Sequence, residues 1–362
     1  MSLQLIEANS LLYGCQLKWR SRKWKYLNNV IVLFVLYRLL LVMIFEATNL
    51  NNVFIWLTYA SNSIGTIGSI YVIRKKRLYI LDMIKKVTEK LNQSRSKALN
   101  RCFKRLFAFH LISIGLSMFL HLYPIVRFGF YDGISHRLLR IFWWTSIHGL
   151  GYRIGYTLLG SYNALVSLQW IQFGHFIYVY VAITIELLFN QYIRQFQNLT
   201  TIDDHSIQTL LTTIENYRKL KQRFEDIFQL LPLMWFAYLF ISLSGNIRYI
   251  SESPPIDTVD FVTLVVLILK NILFTFYLTH LVNSYVKSNV KLCDDIRSRL
   301  YQYLPSMTMS HMSSYVVTNC LIDELKSMDI IYTACGMFKL DDSLFIGFLG
   351  GVVSFTVMFT QL

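Results

Sequence analysis

The chain of 362 residues is 54% hydrophobic and only 15% charged, whereas soluble domains carry about 25% charged residues. This composition excludes an ordinary soluble domain and favours a polytopic membrane protein. The formal net charge of +14 would suggest a nucleic-acid partner in a soluble protein. Here the basic residues lie in loops beside apolar segments, so they indicate membrane orientation and no nucleic acid is expected.

The apolar segments begin after a polar and then basic stretch at residues 1–26, which we interpret as a cytosolic N-terminus. No small-residue cleavage site follows, so the first apolar span is expected to remain as an anchor. Crossing a hydrocarbon core of about 30 Å needs about 20 apolar residues. Seven segments meet this requirement: 27–45, 53–73, 106–126, 163–188, 228–247, 261–285 and 343–362. The boundaries of the fourth are open because 141–162 is also apolar and aromatic.

The distribution of lysine and arginine predicts the orientation of these spans. The N-terminus and the loops 74–105, 189–227 and 286–342 together carry 28 basic residues, and the loops on the other side carry 5. Basic residues concentrate on the cytosolic side of membranes. The sequence therefore predicts an all-α fold of seven transmembrane helices with a cytosolic N-terminus and an extracellular C-terminus.

The long cytosolic loops carry amphipathic helical patterns. Asp203 and Asp204 are N-cap candidates for the first helix. Pro305 is expected to end the second helix. We expect these helices to pack together, and against other subunits, as a cytosolic platform. Their apolar stripes are Ile207, Leu210, Leu211 and Ile214; Val286, Val290, Cys293, Ile296 and Leu300; and Val317, Leu321, Leu325, Met328 and Ile331.

Several polar residues lie inside the predicted spans and are candidates for ligand contact or for the bundle interior. Charges at such depth usually face other helices or water, and small polar residues also allow close helix packing. The candidates are Arg38, Asn62, Thr66, His121 and Lys270, with His110 and His280 as further histidines that could touch a ligand. Glu186, near the cytosolic end of the fourth span, is interpreted as a surface or anchoring group.

The last segment, 343–362, has two distinct faces at helical spacing. Its apolar face carries Phe348, Val352, Phe355 and Phe359. The other face of this membrane-length helix carries small or polar residues. Such a face indicates either the lining of a polar cavity or pore, or a tight contact with another helix. The residues of that second face are Gly347, Gly351, Ser354, Met358 and Gln361.

The residues before this helix read Thr333-Ala334-Cys335-Gly336-Met337-Phe338-Lys339-Leu340-Asp341-Asp342-Ser343-Leu344, and the helix ends Ser354-Phe355, then Gln361-Leu362. This resembles the C-terminal signature of insect gustatory receptors, T-A-C-G-x-F-x-L-D-x-S-L, followed by a helix ending T-Y, five mostly apolar residues and Q-F. Ser354, Phe355 and Leu362 depart from that pattern. The seven spans and long cytosolic loops fit the family along the whole chain.

The resemblance implies a tastant-gated, non-selective cation channel subunit in the plasma membrane of sensory neurons, in their dendrites. In that family four subunits assemble, alone or with related subunits, and the last helices line the pore. By that resemblance Gly347, Gly351, Ser354, Met358 and Gln361 face the pore, and the ligand is a small-molecule tastant, with bitter or other aversive compounds favoured. Membrane lipid is the other expected partner.

The resemblance divides the chain into four parts: 1–26, the cytosolic N-terminus; 27–285, six helices with an outer ligand pocket and basic cytosolic loops; 286–342, a cytosolic helical anchor; and 343–362, the pore-lining helix. Two alternatives stay open, a modulatory co-receptor subunit and a G-protein-coupled seven-helix receptor. No phosphate loop, metal motif or nucleophile elbow occurs, so neither an enzyme nor a cofactor or metal site is expected.

Overall fold

The computed structural model describes residues 33, 37, 53–127, 150–199, 201–252, 258–304, 312–328 and 331–360. Within these ranges the chain is almost entirely helical. The helices are α1 (Val53–Lys90), α2 (Gln93–Arg127), α3 (Leu150–Gln197), α4 (Asp204–Phe228), α5 (Leu230–Glu252), α6 (Thr258–Phe276), α7 (Val282–Tyr303), α8 (Met312–Lys326) and α9 (Asp342–Thr360). A π-helical turn, Tyr277–Leu281, joins α6 to α7 without a loop.

Helix α3 is the centre of the bundle. Every residue from Ile171 to Gln191 is buried, and α1, α2, α4 and α7 all pack against it. Its 48 residues span roughly 70 Å at 1.5 Å per residue, which is longer than a bilayer is thick. One end of α3 therefore extends beyond any membrane-spanning portion, and α4 and α7 pack around that extension.

The predicted spans after the first coincide with helices. The second lies in α1, the third in α2, the fourth in α3 and the seventh in α9. The fifth lies in α5 apart from its first two residues, and the sixth covers most of α6, the π-turn and the first turn of α7. The first span, 27–45, lies outside the described residues apart from Leu33 and Tyr37. By length and hydropathy, two described stretches suit a membrane crossing, Ile171–Gln197 and Leu230–Arg248; Asp342–Met358 is a shorter apolar helix.

The structure confirms the predicted amphipathic helices. Asp203 is the N-cap of α4: its Oδ1 accepts a hydrogen bond of 2.9 Å from the backbone amide of Ser206. Helix α7 ends at Tyr303, two residues before Pro305, because proline cannot continue the backbone ladder. The predicted stripes supply most of the buried faces of these helices. Val290 is 39% exposed, and Met328 and Ile331 of the third stripe lie beyond the end of α8 at Lys326.

Two features were not predicted from the sequence. One is the π-helical turn between α6 and α7. The other is a short antiparallel hairpin, Thr333–Ala334 paired with Phe338–Lys339, which falls within the gustatory-receptor-like signature. Below, Thr333–Lys339 is called the signature hairpin.

Candidate functional site

A close approach of three helices is built around Gly174 of α3. A Cβ atom at Gly174 would lie 2.8 Å from Cζ2 of Trp235 in α5 and 3.3 Å from Oγ of Ser69 in α1. Trp235 donates its Nε1 hydrogen to Ser69 Oγ at 3.0 Å, and Ser69 in turn donates to the carbonyl of Gly65 at 2.7 Å. Gly174 therefore lets α1, α3 and α5 meet at one point.

Beside this contact, on the same turn of α3, polar side chains form a layer inside the apolar bundle. Ser113 Oγ of α2 donates to Gln172 Oε1 of α3 at 2.8 Å. His110 of α2 and His175 of α3 are also buried. His110, Ser113, Gln172 and His175 are called the polar layer below.

His175 has an unusual environment within this layer. Its ring stands edge-on to Trp235, with centroids 4.1 Å apart, and lies 5.4 Å from Phe274 of α6. Within the described structure, neither Nδ1 nor Nε2 of His175 has a hydrogen-bond partner. Buried polar atoms without partners are rare and usually mark water, a ligand or strain.

A cavity of about 20 Å³ lies beside the polar layer. Its walls include His110, Gln172 and His175, together with Phe274 and Tyr277 from the α6 side. This volume suits about one water molecule, which needs ~10–15 Å³. The structure therefore shows a small, partly open cavity with mostly apolar and aromatic walls, which His110, Gln172 and His175 border.

Lys270 lies on α6 one helical turn before Phe274, so the two side chains share a helix face. Lys270 is only 7% exposed. The neighbouring Asn271 is also buried and donates from Nδ2 to Ser242 Oγ of α5 at 3.0 Å. Lys270 and Asn271 are thus both directed into the bundle.

The other predicted pocket candidates are dispersed. Thr66 of α1 is fully buried. Asn62 lies in α1 and His121 in α2, but their side chains, like all of Arg38, lie outside the described residues. His280 is half-exposed and lies 2.8 Å from Asp342 through its Nδ1 atom. The structure thus buries Lys270 and Thr66 and does not bring the candidates together in one described pocket.

Sequence reasoning missed Gln172 and His175. With Gln169 they follow at intervals of three residues in an otherwise apolar segment, a spacing that places them near one face of a helix. That pattern was the available signal. Among the described residues, no group of three or more His, Cys, Asp or Glu side chains could hold a metal ion.

Helix α9 packs through one face and leaves the opposite face uncovered in the protomer. Phe348 and Val352 are buried. Phe348 and Phe355 both contact the ring of Phe240 in α5, with centroids 6.0 Å and 5.3 Å apart. A Cβ atom at Gly351 would also lie 3.4 Å from Phe240, so this glycine sits at the edge of the packed face.

The predicted pore residues lie mostly on the uncovered side of α9. Gly347 and Ser354 are exposed, and Met358 is 50% exposed. A Cβ atom at Gly347 would meet nothing within 4 Å. Gly351 borders the two faces, and Gln361 lies outside the described residues.

The signature hairpin turns at Cys335-Gly336. Both residues have positive φ, 53° and 70°, and the amide of Met337 donates to the carbonyl of Ala334 at 2.9 Å. Two central residues with positive φ define a type I′ turn, which favours glycine. Cys335 Sγ donates to the carbonyl of Gln229, the residue between α4 and α5, at 3.4 Å. The Cys-Gly pair of the signature therefore has a structural role.

The two aspartates after the hairpin fix the start of α9. Asp341 accepts hydrogen bonds through Oδ1 from the Leu344 amide at 3.0 Å and from Ser343 Oγ at 2.6 Å. Asp342 binds Lys287 Nζ of α7 at 2.6 Å, in addition to His280. The first aspartate therefore caps α9, and the second attaches it to the α6–α7 segment.

Glu186 of α3 is the centre of a second buried polar group. Its Oε1 accepts hydrogen bonds of 2.8 Å from the hydroxyls of both Tyr217 in α4 and Tyr332 before the signature hairpin. Its Oε2 accepts from Asn289 Nδ2 of α7 at 2.7 Å. We call these four residues the Glu186 cluster.

The interpretation of Glu186 as a surface group was wrong, because its side chain is fully buried. The carboxylate is tolerated in the interior because three side-chain donors from three separate segments satisfy it. Burial, followed by the neighbouring Glu186 carboxylate, raises the pKa of Tyr332 well above its ordinary value. The Tyr332 hydroxyl therefore remains a donor, and it attaches the segment leading to α9 to the centre of the bundle.

The comparisons with known proteins agree with this architecture. A family model described as 7tm Chemosensory receptor matches residues 14–362. The chain therefore belongs to the seven-transmembrane chemosensory receptor family, and it is a polytopic membrane protein. No curated protein matches the chain.

Solved structures similar to this chain include the insect olfactory receptor OR5 from Machilis hrabei. The structure in complex with eugenol superimposes with a TM-score of 0.74 at 11% identity, covering 99% of this chain and 98% of that one. A second OR5 structure gives 0.74 at 10% identity, with 99% and 97% coverage. At this identity the likeness establishes the shared fold.

Proposed function

We propose that the chain is a gustatory receptor subunit of a tastant-gated, non-selective cation channel, active as a tetramer alone or with related subunits. The observation that carries this proposal is the uncovered face of α9. Helix α9 packs on its own protomer through Phe348 and Val352 and exposes Gly347 and Ser354. A helix of this kind can line a pore together with the same helix of other subunits. Membership of the chemosensory receptor family supports the same conclusion.

Assembly is supported by apolar residues that α7 and α8 leave exposed. Tyr301 of α7 is 51% exposed, and Tyr315 and Val316 of α8 are 47% and 52% exposed. Exposed apolar residues of this kind often mark contacts between proteins. In the proposal they face neighbouring subunits, so that α7 and α8 join four protomers while the α9 helices surround the pore.

The ligand in this proposal is a small organic tastant, with bitter or other aversive compounds as the class to test first. OR5 has been solved with the small molecule eugenol, which supports a ligand of similar size here. Ligand binding shifts the equilibrium between closed and open states by its different affinity for the two.

A cysteine-accessibility experiment tests the pore face. Ser354→Cys and the matched buried control Val352→Cys are expressed in cells and tested with a panel of quinine, caffeine, sucrose and benzoate. A charged thiol reagent applied from outside is expected to block the evoked cation current of Ser354→Cys and to spare Val352→Cys. Equal block of both variants, or of neither, contradicts a pore lined by this face.

Epitope access tests the proposed orientation, with the N-terminus in the cytosol and the C-terminus outside, in the plasma membrane of sensory neurons. On intact cells an antibody should reach a C-terminal tag and not an N-terminal tag. The reverse result would reopen the G-protein-coupled alternative.

A further inference from the structure

A groove of about 370 Å³ lies between α3, α4 and the end of α1. This volume is within the range of roughly 300–1,000 Å³ that is typical of small-molecule sites, unlike the cavity beside His175. None of the residues that line the groove belongs to α9 or to the polar layer. The groove is therefore separate from the parts of the protein that the proposed channel function uses.

The floor of the groove is apolar. It is formed by Leu188 and Phe189 of α3, which are buried, and by Leu220 of α4. The Phe189 ring stacks on Tyr217 of α4, with centroids 4.1 Å apart, so the floor is a fixed part of the helix packing. The apolar part of a ligand can thus be covered there without rearrangement of the two helices.

The rim of the groove on α4 is polar, but its hydroxyl groups are already bonded. Thr209, Thr212 and Thr213 each donate to a backbone carbonyl one turn earlier, at 2.8, 2.9 and 2.8 Å. Their hydrogens are therefore not available to a ligand. The side chains of Gln208 and Asn216 also line the groove and keep amide donors that no other described residue binds.

The groove has a cationic end. Of the described residues that line it, Lys90 alone carries a full charge at neutral pH, and none is acidic. The carbonyl of Lys90 accepts a hydrogen bond of 3.1 Å from Gln191 Nε2 of α3. Helices α3 and α4 run antiparallel across a short connection, so Lys90 lies toward this connection and Ile185 and Leu220 lie toward the opposite end.

We propose that this groove binds a small amphipathic organic anion, with a carboxylate at the Lys90 ammonium and an apolar part on Leu188, Phe189 and Leu220. A carboxylate neutralises the ammonium and also accepts hydrogen bonds from the amide donors of the rim. Covering the floor removes apolar surface from water. This second ligand site goes beyond the proposed function, and binding there does not depend on channel activity.

The distance from the membrane favours a free anion over a lipid headgroup. Helix α1 continues without a break to Lys90, whereas the predicted second span ends at residue 73. At 1.5 Å per residue, Lys90 lies roughly 25 Å of helix beyond that point. A headgroup at the bilayer surface is not expected to reach the groove, whereas an anion in solution has direct access to it.

The groove also borders the Glu186 cluster. Tyr217 lines the groove and donates to Glu186 Oε1 at 2.8 Å, and the same oxygen accepts from Tyr332. A ligand that packs against Tyr217 holds this donor in its bonded position. Because a ligand that binds only the folded state stabilises that state, occupancy of the groove should raise the melting temperature.

Matched probes test this inference on the purified full-length receptor in nanodiscs of phosphatidylcholine, a lipid without net charge. Decanoate is compared with decanamide, and naphthoate with naphthamide, by the shift in melting temperature across a concentration series. The variants are Lys90→Met, the charge-retaining Lys90→Arg, and Thr212→Trp, which fills the groove from its rim. Lys85→Met is the control, at an exposed lysine of α1 that does not line the groove.

We expect at least one carboxylate to stabilise the wild type more than its amide does. Lys90→Met should weaken carboxylate binding about threefold or more, as expected for a charge-assisted hydrogen bond at a partly exposed site, while Lys90→Arg and Lys85→Met retain it. Thr212→Trp should lose binding. Without ligand it should melt near the wild type, because Thr212 is exposed and its hydroxyl bonds only the helix backbone.

Four outcomes overturn the inference. These are that no carboxylate stabilises the wild type, that the amides act equally well, that Lys90→Met keeps full carboxylate binding, or that Thr212→Trp does so. Nanodiscs that contain phosphatidylserine separate the two sources of the carboxylate. A free anion should bind equally well in both lipids. If phosphatidylserine alone stabilises the wild type and not Lys90→Met, the occupant is a lipid headgroup and the assignment to a free anion is wrong.

Discussion

The indole of Trp235 donates a 3.0 Å hydrogen bond to Ser69 Oγ. These residues belong to α5 and α1, and the side of α3 at Gly174 lies between them. Trp235 is fully buried, and its ring also supports His175 at 4.1 Å. The pair therefore fixes the spacing of three helices and the position of one wall of the polar layer.

Gly174→Ala tests this close approach. The new Cβ atom would lie 2.8 Å from Trp235 Cζ2, so the indole has to shift, and we expect a loss of about 1–3 kcal/mol of stability, the usual cost of overpacking. Melting of the detergent-solubilised receptor measures it. Gly115→Ala in α2 is the control, because a Cβ atom there meets nothing within 4 Å. A Gly174→Ala receptor as stable as the control contradicts the tight contact.

Replacing Glu186 by leucine should strongly destabilise the receptor. The change removes the acceptor that Glu186 offers to the hydroxyls of Tyr217 and Tyr332, while Asn289 Nδ2 keeps only the backbone carbonyl of residue 186. Each unsatisfied buried group costs ~1–3 kcal/mol. We expect a loss of about 3 kcal/mol or more, seen as reduced folded receptor at the cell surface and a lower melting temperature.

The single change Tyr332→Phe is milder, with a loss of about 1–2 kcal/mol, because Glu186 keeps its other donors. Combining it with Tyr217→Phe should give a non-additive loss, since both hydroxyls bind the same carboxylate oxygen. Tyr301→Phe, at an exposed position of α7, serves as control. Additive effects of the two tyrosines would show that they act independently.

The turn of the signature hairpin should tolerate asparagine better than alanine at Gly336. Its φ of +70° is accessible to glycine and moderately to asparagine, and costs other residues about 1–2 kcal/mol. Nothing lies within 4 Å of a Cβ atom there, so backbone strain is the whole effect. Melting temperatures should rank wild type, then Gly336→Asn, then Gly336→Ala. Equal values for the two variants would contradict the turn geometry.

The cap of α4 should make stability depend on pH in the acid range. Hydrogen bonds from the Ser206 amide and then its side chain lower the pKa of Asp203 below its ordinary value. Because the folded pKa lies below the unfolded pKa of about 3.9, this contribution is present above pH ~4 and is lost as the pH falls through the folded pKa.

Asp203→Asn preserves a good N-cap and removes the titration. Between pH 6 and pH 3 its melting temperature should fall less than that of the wild type. Asp226→Asn, at an exposed position near the end of the same helix, should follow the wild type. The cap has no role in acid stability if Asp203→Asn and the wild type fall in parallel.

The sequence predicted the helices well wherever one local pattern was sufficient. The stripe from Ile207 to Ile214 and the cap at Asp203 depend only on neighbours within a few residues, so α4 could be recognised directly. The two faces of α9 were also readable, because Phe348 and Val352 lie one turn apart and differ in type from Gly347 and Ser354.

The buried polar contacts were not predictable in the same way. Glu186 stands near the end of an apolar span, where a surface position is the usual outcome, and its three donors come from distant segments of the chain. His175 and Gln172 likewise depend on which helices surround α3. The positive φ of Cys335 is imposed by the turn of the signature hairpin, and the residue types of the signature do not by themselves predict that turn. These features follow from tertiary packing, which overrides local propensity.

The Glu186 cluster also sets an order of events during biosynthesis. Asn289 follows Glu186 by 103 residues and Tyr332 follows it by 146. At about 5–20 residues per second, the ribosome incorporates Tyr332 ~7–30 s after Glu186. During that interval Tyr217 and then Asn289 become available to the Glu186 carboxylate, and the third side-chain donor is supplied only when Tyr332 has been made. A chain that stalls or is truncated before Tyr332 therefore cannot complete the cluster.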